Sequence, residues 1–97
     1  MNINLFNDLS KKVYEHNCAV SFERILVDID NIIKKAALNT YERYDDKILN
    51  EVEDIQQNIS IAIYMDFISK SLIFKDEKDI EKYIYKTAEE VLIETRG

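Results

Sequence analysis

Ninety-seven residues, 46% of them hydrophobic, suffice for one domain (1–97) with a core of its own and no need of a disulfide framework or structural metal. The net charge of −6 argues against nucleic acid as a partner, because affinity for phosphate backbones rests on Lys and Arg displacing counterions. Proline is absent and the one glycine is Gly97; in helix interiors they cost roughly 3 and 1 kcal/mol relative to alanine, so the chain reads as all-α.

The periodicity predicts an antiparallel bundle of three or four helices at about 3–16, 21–43, 46–74 and 77–95, with dimerisation as a second way of completing it. In the first helix Leu5, Phe6, Leu9 and Val13 share one face. Asn17-Cys18 ends it, since asparagine tolerates the left-handed conformation that closes a helix. Ser21 is the expected N-cap of the second helix, with Glu23 in the favourable field of its first turn. Phe22, Ile25, Leu26, Ile29, Ile32, Ile33, Ala36, Ala37 and Thr40 then hold a single stripe opposite Arg24, Asp28, Asn31, Lys35 and Glu42.

No breaker separates the second helix from the third. An unbroken helix from Phe22 to Phe74 would be about 80 Å long, beyond what a compact monomer of this size can cover. A turn is therefore expected within Asn39–Asp46, with Asp45 or Asp46 capping the next helix. In that third helix Ile48, Val52, Ile55, Ile59 and Ala62 form a narrow stripe that runs into Asp66 and Lys70. Ile61, Tyr64, Met65, Ile68 and Leu72 form another on roughly the opposite side. Either the helix breaks near Asn58–Ser60 or its C-terminal half is packed on two sides. Asp76 is the expected cap of the fourth helix, whose Ile80, Tyr83, Ile84, Thr87, Ala88, Val91 and Leu92 face inward, away from Lys78, Lys82 and Lys86.

Candidate chemistry is sparse. His16 and Cys18 are the only residues of their kinds, too few for a zinc site, and their spacing does not make a nucleophile–base pair. The ordinary reading is a histidine at a helix end beside a small thiol. Glu51-Val-Glu53-Asp54 and Glu89-Glu90-x-x-x-Glu94 are loose echoes of carboxylate sets that bind magnesium or manganese in helical phosphohydrolases, with the wrong spacing. That enzyme is one alternative, and a dimeric DNA-binding regulator is another. Asp66 is expected to pair with Lys70 one turn away. No cofactor is expected.

Charge and apolar patterning favour a non-enzymatic protein that binds another protein. Residues 1–40 hold five basic and five acidic side chains, whereas residues 41–97 hold eight and fourteen, so the net charge lies wholly in the second half. An acidic patch of Glu42, Asp45, Asp46, Glu51, Glu53 and Asp54 suits a partner with a basic surface. Ile61, Tyr64, Met65, Ile68 and Leu72 are the candidate interface, with homodimerisation expected through it, because Tyr and Met combine large apolar area with adaptability. The apolar window Ile59–Phe74 is too short and too polar to span a membrane. A lone cysteine and no basic-plus-apolar leader point to the cytoplasm. Fifteen isoleucines and eight asparagines fit an AT-rich genome, that of a low-GC bacterium or its phage. Small acidic helical proteins from such mobile elements are often inhibitors, immunity proteins or antitoxins, and that analogy of class and size sets the functional expectation.

Overall fold

The computed structural model describes residues 1–43 and 52–96. They form four helices: α1 (Ile3–His16), α2 (Ala19–Arg43), α3 (Val52–Ser69) and α4 (Glu77–Arg96). α2 and α3 make the central pair, with α1 and α4 packed against both. Phe22, near the start of α2, meets Tyr64 and Phe67 near the end of α3, so these two helices run antiparallel. Tyr83, early in α4, meets Phe67 late in α3, which makes that pair antiparallel as well. The molecule measures 38 × 22 × 18 Å. At about 1.5 Å per residue α2 alone accounts for the long axis, so the chain turns back between α2 and α3 and the long unbroken helix does not form.

Local chemistry sets most of the ends. Asn2 caps α1 by accepting from the Leu5 N–H at 3.1 Å, and Asn17 closes it in the left-handed region at φ 49°, ψ 44°. Asp76 accepts the Asp79 N–H at 2.9 Å, as expected of the α4 cap. Three boundaries differ from the sequence expectation. Ser21 is not the α2 cap. The helix has already begun at Ala19, the Phe22 N–H bonds the Cys18 carbonyl at 3.1 Å, and Ser21 is buried inside the first turn. The turn expected within Asn39–Asp46 is not at Asn39–Arg43, which are helical; the proposed caps Asp45 and Asp46 and the start at 46 lie outside the described residues.

Third, α3 ends at Ser69 rather than at 74, and it is continuous through Asn58–Ser60. Residues 71–74 are non-helical because α1 offers their backbone better partners. The Asn7 amide donates to the Phe74 carbonyl at 2.9 Å and accepts the Phe74 N–H at 3.0 Å, while the Ser10 hydroxyl donates to the Leu72 carbonyl at 2.8 Å. This strap seats Phe74 against Phe6, Phe67 and Tyr83. Two rings meeting edge to face or offset gain about 0.5–1.5 kcal/mol beyond their buried area.

The core is a single cluster to which all four helices contribute, including Phe6, Leu9 and Val13 of α1, Ile25, Ile29 and Ile33 of α2, Ile59, Ile63 and Phe67 of α3, and Ile80 and Ile84 of α4. The α2 and α4 stripes are placed as expected, whereas Leu5 of the α1 stripe is exposed. In α3 the buried line Ile59–Ile63–Phe67 passes between the two stripes expected from the sequence. Steps of four residues advance the buried face by about 40° each, so that face rotates steadily along the helix instead of switching sides. The C-terminal half of α3 is thereby packed on two sides, against α1 and α2 on one flank and α4 on the other. One chain closes this core without help from a second. Among the described residues, no helix is long and apolar enough to cross a membrane.

Candidate functional site: the groove between α3 and α4

The five residues of the candidate interface do not act as one surface. Tyr64, Ile68 and Leu72 are half-buried and pack on the core. The Tyr64 ring lies edge-on to Phe22 with centroids 5.0 Å apart, and its hydroxyl donates to the Asn17 side chain at 2.8 Å. Ile61 and Met65, in contrast, are each 54% exposed on successive turns of the solvent side of α3. The candidate interface therefore divides by burial into a structural half and a solvent half.

Ile61 and Met65 line a groove of about 510 Å³ between α3 and α4, together with Asn58, Ala62 and Asp66 of α3 and Thr87, Glu90 and Val91 of α4. α3 passes its i, i+4 positions to this wall while its buried line turns away beneath it. Thr87 is buried, its hydroxyl donating to the Tyr83 carbonyl at 2.9 Å. Apolar side chains supply part of the lining, and the charged residues among its described members are the carboxylates of Asp66 and Glu90.

Asp66 was expected to pair with Lys70; the partner the structure gives it is Tyr83, whose hydroxyl donates to Asp66 Oδ2 at 2.6 Å. Lys70 contacts Asp66 through its backbone N–H, which bonds the Asp66 carbonyl at 3.1 Å. Burial holds the Tyr83 phenol well above its usual range, and the Asp66 carboxylate pushes it further the same way, with a smaller contribution from Glu90. Tyr83 is thus a committed donor, and it orients one oxygen of Asp66. Pattern reading flagged Asp66 and Glu90 separately and missed both their common groove and the role of Tyr83. The usable signal is the seven-residue step from Tyr83 to Glu90, which sets the two on one side of α4, two turns apart.

Of the acidic patch, Glu42, Glu53 and Asp54 are exposed, and Asp45, Asp46 and Glu51 lie outside the described residues. Around Cys18, the Ser21 hydroxyl donates to Cys18 Sγ at 3.1 Å, and His16 lies 3.8 Å from Glu15. Thiol and imidazole are each engaged elsewhere rather than with one another. The Ser21 hydroxyl, then the backbone N–H groups at the start of α2 and the charge of Lys12, hold the thiol below its ordinary value. Among the described residues, no three His, Cys, Asp or Glu side chains stand together where they could hold a metal ion. Comparison with family models, curated proteins and solved structures gave no match.

Proposed function

We propose that this chain is a small non-enzymatic helical module that binds another protein, acting as inhibitors, immunity proteins and antitoxins do, by occupying a surface of its target. The observation that carries this reading is the pair Ile61 and Met65. Both are apolar, half exposed and one turn apart, and neither belongs to the core cluster. Apolar area of this kind is most valuable when a partner covers it, at about 25 cal/mol per Å² removed from water. The acidic balance of residues 41–97 favours a target with a basic surface.

The test is a photo-crosslinking amino acid at position 65, expressed in the native host, followed by purification of the captured protein. Calorimetry then compares the wild type with the Ile61→Asp/Met65→Asp double variant against that partner. We expect the double variant to lose binding while keeping its helical circular dichroism. Unchanged affinity removes the reading.

A further inference from the structure

The α3–α4 groove also specifies the chemistry of what fills it, an inference that rests on the protein-binding reading above. Along α3 the lining runs from Asn58 to Asp66, a rise of about 12 Å, which matches about two turns of a facing helix. Such a segment presents two side chains, three or four residues apart and about 5–6 Å from one another, to a groove. The described lining offers the apolar surface of Ile61 and Met65 together with the carboxylates of Asp66 on α3 and Glu90 on α4, and it holds no Lys or Arg. Because Tyr83 takes only Oδ2 of Asp66, and a carboxylate can accept about four hydrogen bonds, Asp66 retains capacity for a donor from outside. Carboxylates in one groove are best relieved by a cation, and a guanidinium can bond a carboxylate through two N–H groups.

We infer that the groove receives an amphipathic helix of another protein, with an apolar residue against Ile61 and Met65 and an arginine or lysine toward the carboxylates of Asp66 and Glu90. A second copy of this chain is the rival occupant, since Val20, Arg24 and Val27 of α2 are exposed and show the same alternation of apolar and basic residues. Charge decides against it. Chains of net charge −6 repel one another.

Selection of a displayed library of random helical peptides against the full-length protein tests this directly. Enriched peptides should carry Arg or Lys three or four residues from a Leu, Ile, Met or Phe. Their amide-shift footprint should centre on residues 58–66 and 87–91. Neutralising the groove by Asp66→Asn with Glu90→Gln should weaken them about tenfold, the loss expected for two partly screened charge pairs. Glu90→Gln alone, which leaves the Tyr83 contact intact, should account for part of that loss. Enrichment of uncharged or acidic peptides, a footprint elsewhere, absence of any groove binder, or a concentration-dependent assembly that Arg24→Glu dissolves would each overturn the inference. The partner captured through position 65 separates the two levels. Binding lost in Ile61→Asp/Met65→Asp but kept in the neutralised groove leaves the function standing and removes the basic helix, whereas binding kept in both removes the two together.

Discussion

The strap between α1 and residues 71–74 should be worth a large fraction of the stability of this domain, and Asn7→Ala measures it. Asn7 makes two hydrogen bonds to one residue, 2.9 Å to the Phe74 carbonyl and 3.0 Å from the Phe74 N–H, in a partly buried setting. A made hydrogen bond contributes about 0.5–1.5 kcal/mol net, but an abandoned buried partner costs about 1–3 kcal/mol. Partial access of water to the Phe74 backbone places the sum at roughly 2–4 kcal/mol. Total stability for a domain of this size is about 5–15 kcal/mol. Urea unfolding followed by circular dichroism should show the midpoint of Asn7→Ala lowered by about 1–2 M with an unchanged slope. Hydrogen exchange should show the Phe74 amide, protected in the wild type, exchanging early in the variant. Asn7→Asp keeps an acceptor for the N–H but sets a carboxylate against the Phe74 carbonyl, so it should be no better than alanine. A loss below about 0.5 kcal/mol, the range of ordinary surface substitutions, would refute the account of why α3 stops at Ser69.

Three further outcomes follow from the same geometry. Tyr83 has its phenol raised in the folded state, so its contribution is complete below pH ~10, the unfolded value, and is lost as pH rises toward the folded one. Above pH ~10 stability should fall by at most about 1.4 kcal/mol per pH unit on this account, and Tyr83→Phe should flatten that slope in alkaline melts whereas the exposed Tyr85→Phe should not. Ser21→Ala removes the main group lowering the Cys18 thiol, so the pH profile of alkylation by iodoacetamide should move upward; an unmoved profile would mean that the hydroxyl has no such effect. Finally, Ile63→Asp puts a charge at a position with 0% exposure and should prevent folding, whereas Ile61→Asp, two residues away and 54% exposed, should change the melting midpoint by no more than about 0.5 kcal/mol in equivalent stability.

Sequence periodicity carried the helical class, the α2 and α4 stripes, the Asn17 closure and the Asp76 cap, because each depends on residues within a turn or two of one another. What it missed is non-local. Lys70 to Phe74 have nothing against helix in their own composition. The alternative becomes favourable only when Asn7 and Ser10, more than sixty residues earlier, satisfy the freed backbone. Ser21 has the composition of a cap, yet Asn17 in the left-handed region turns the chain early enough for α2 to begin at Ala19, and Ser21 falls one turn inside. α3 deceived the pattern most. A helix that packs on both flanks has no strict apolar face, and Ile63 and Phe67 lie between its two apparent stripes.

That same property of α3 gives the groove its meaning. A helix surrounded on two flanks has a small remaining surface, and the bundle obtains its core from Ile59, Ile63 and Phe67. Nothing in the packing of the bundle therefore requires Ile61 or Met65 to be apolar, nor Asp66 to be charged where the Ile55–Ile59–Ala62 edge would carry on. Tyr83 accommodates the carboxylate by donating to its Oδ2 where α3 and α4 meet. Exposed apolar residues and an oriented acid thus coincide where the demands of folding are weakest. A partner that supplies both an apolar residue and a cation would satisfy the two together, and one that supplies only the first would leave Glu90 and the second oxygen of Asp66 desolvated without compensation.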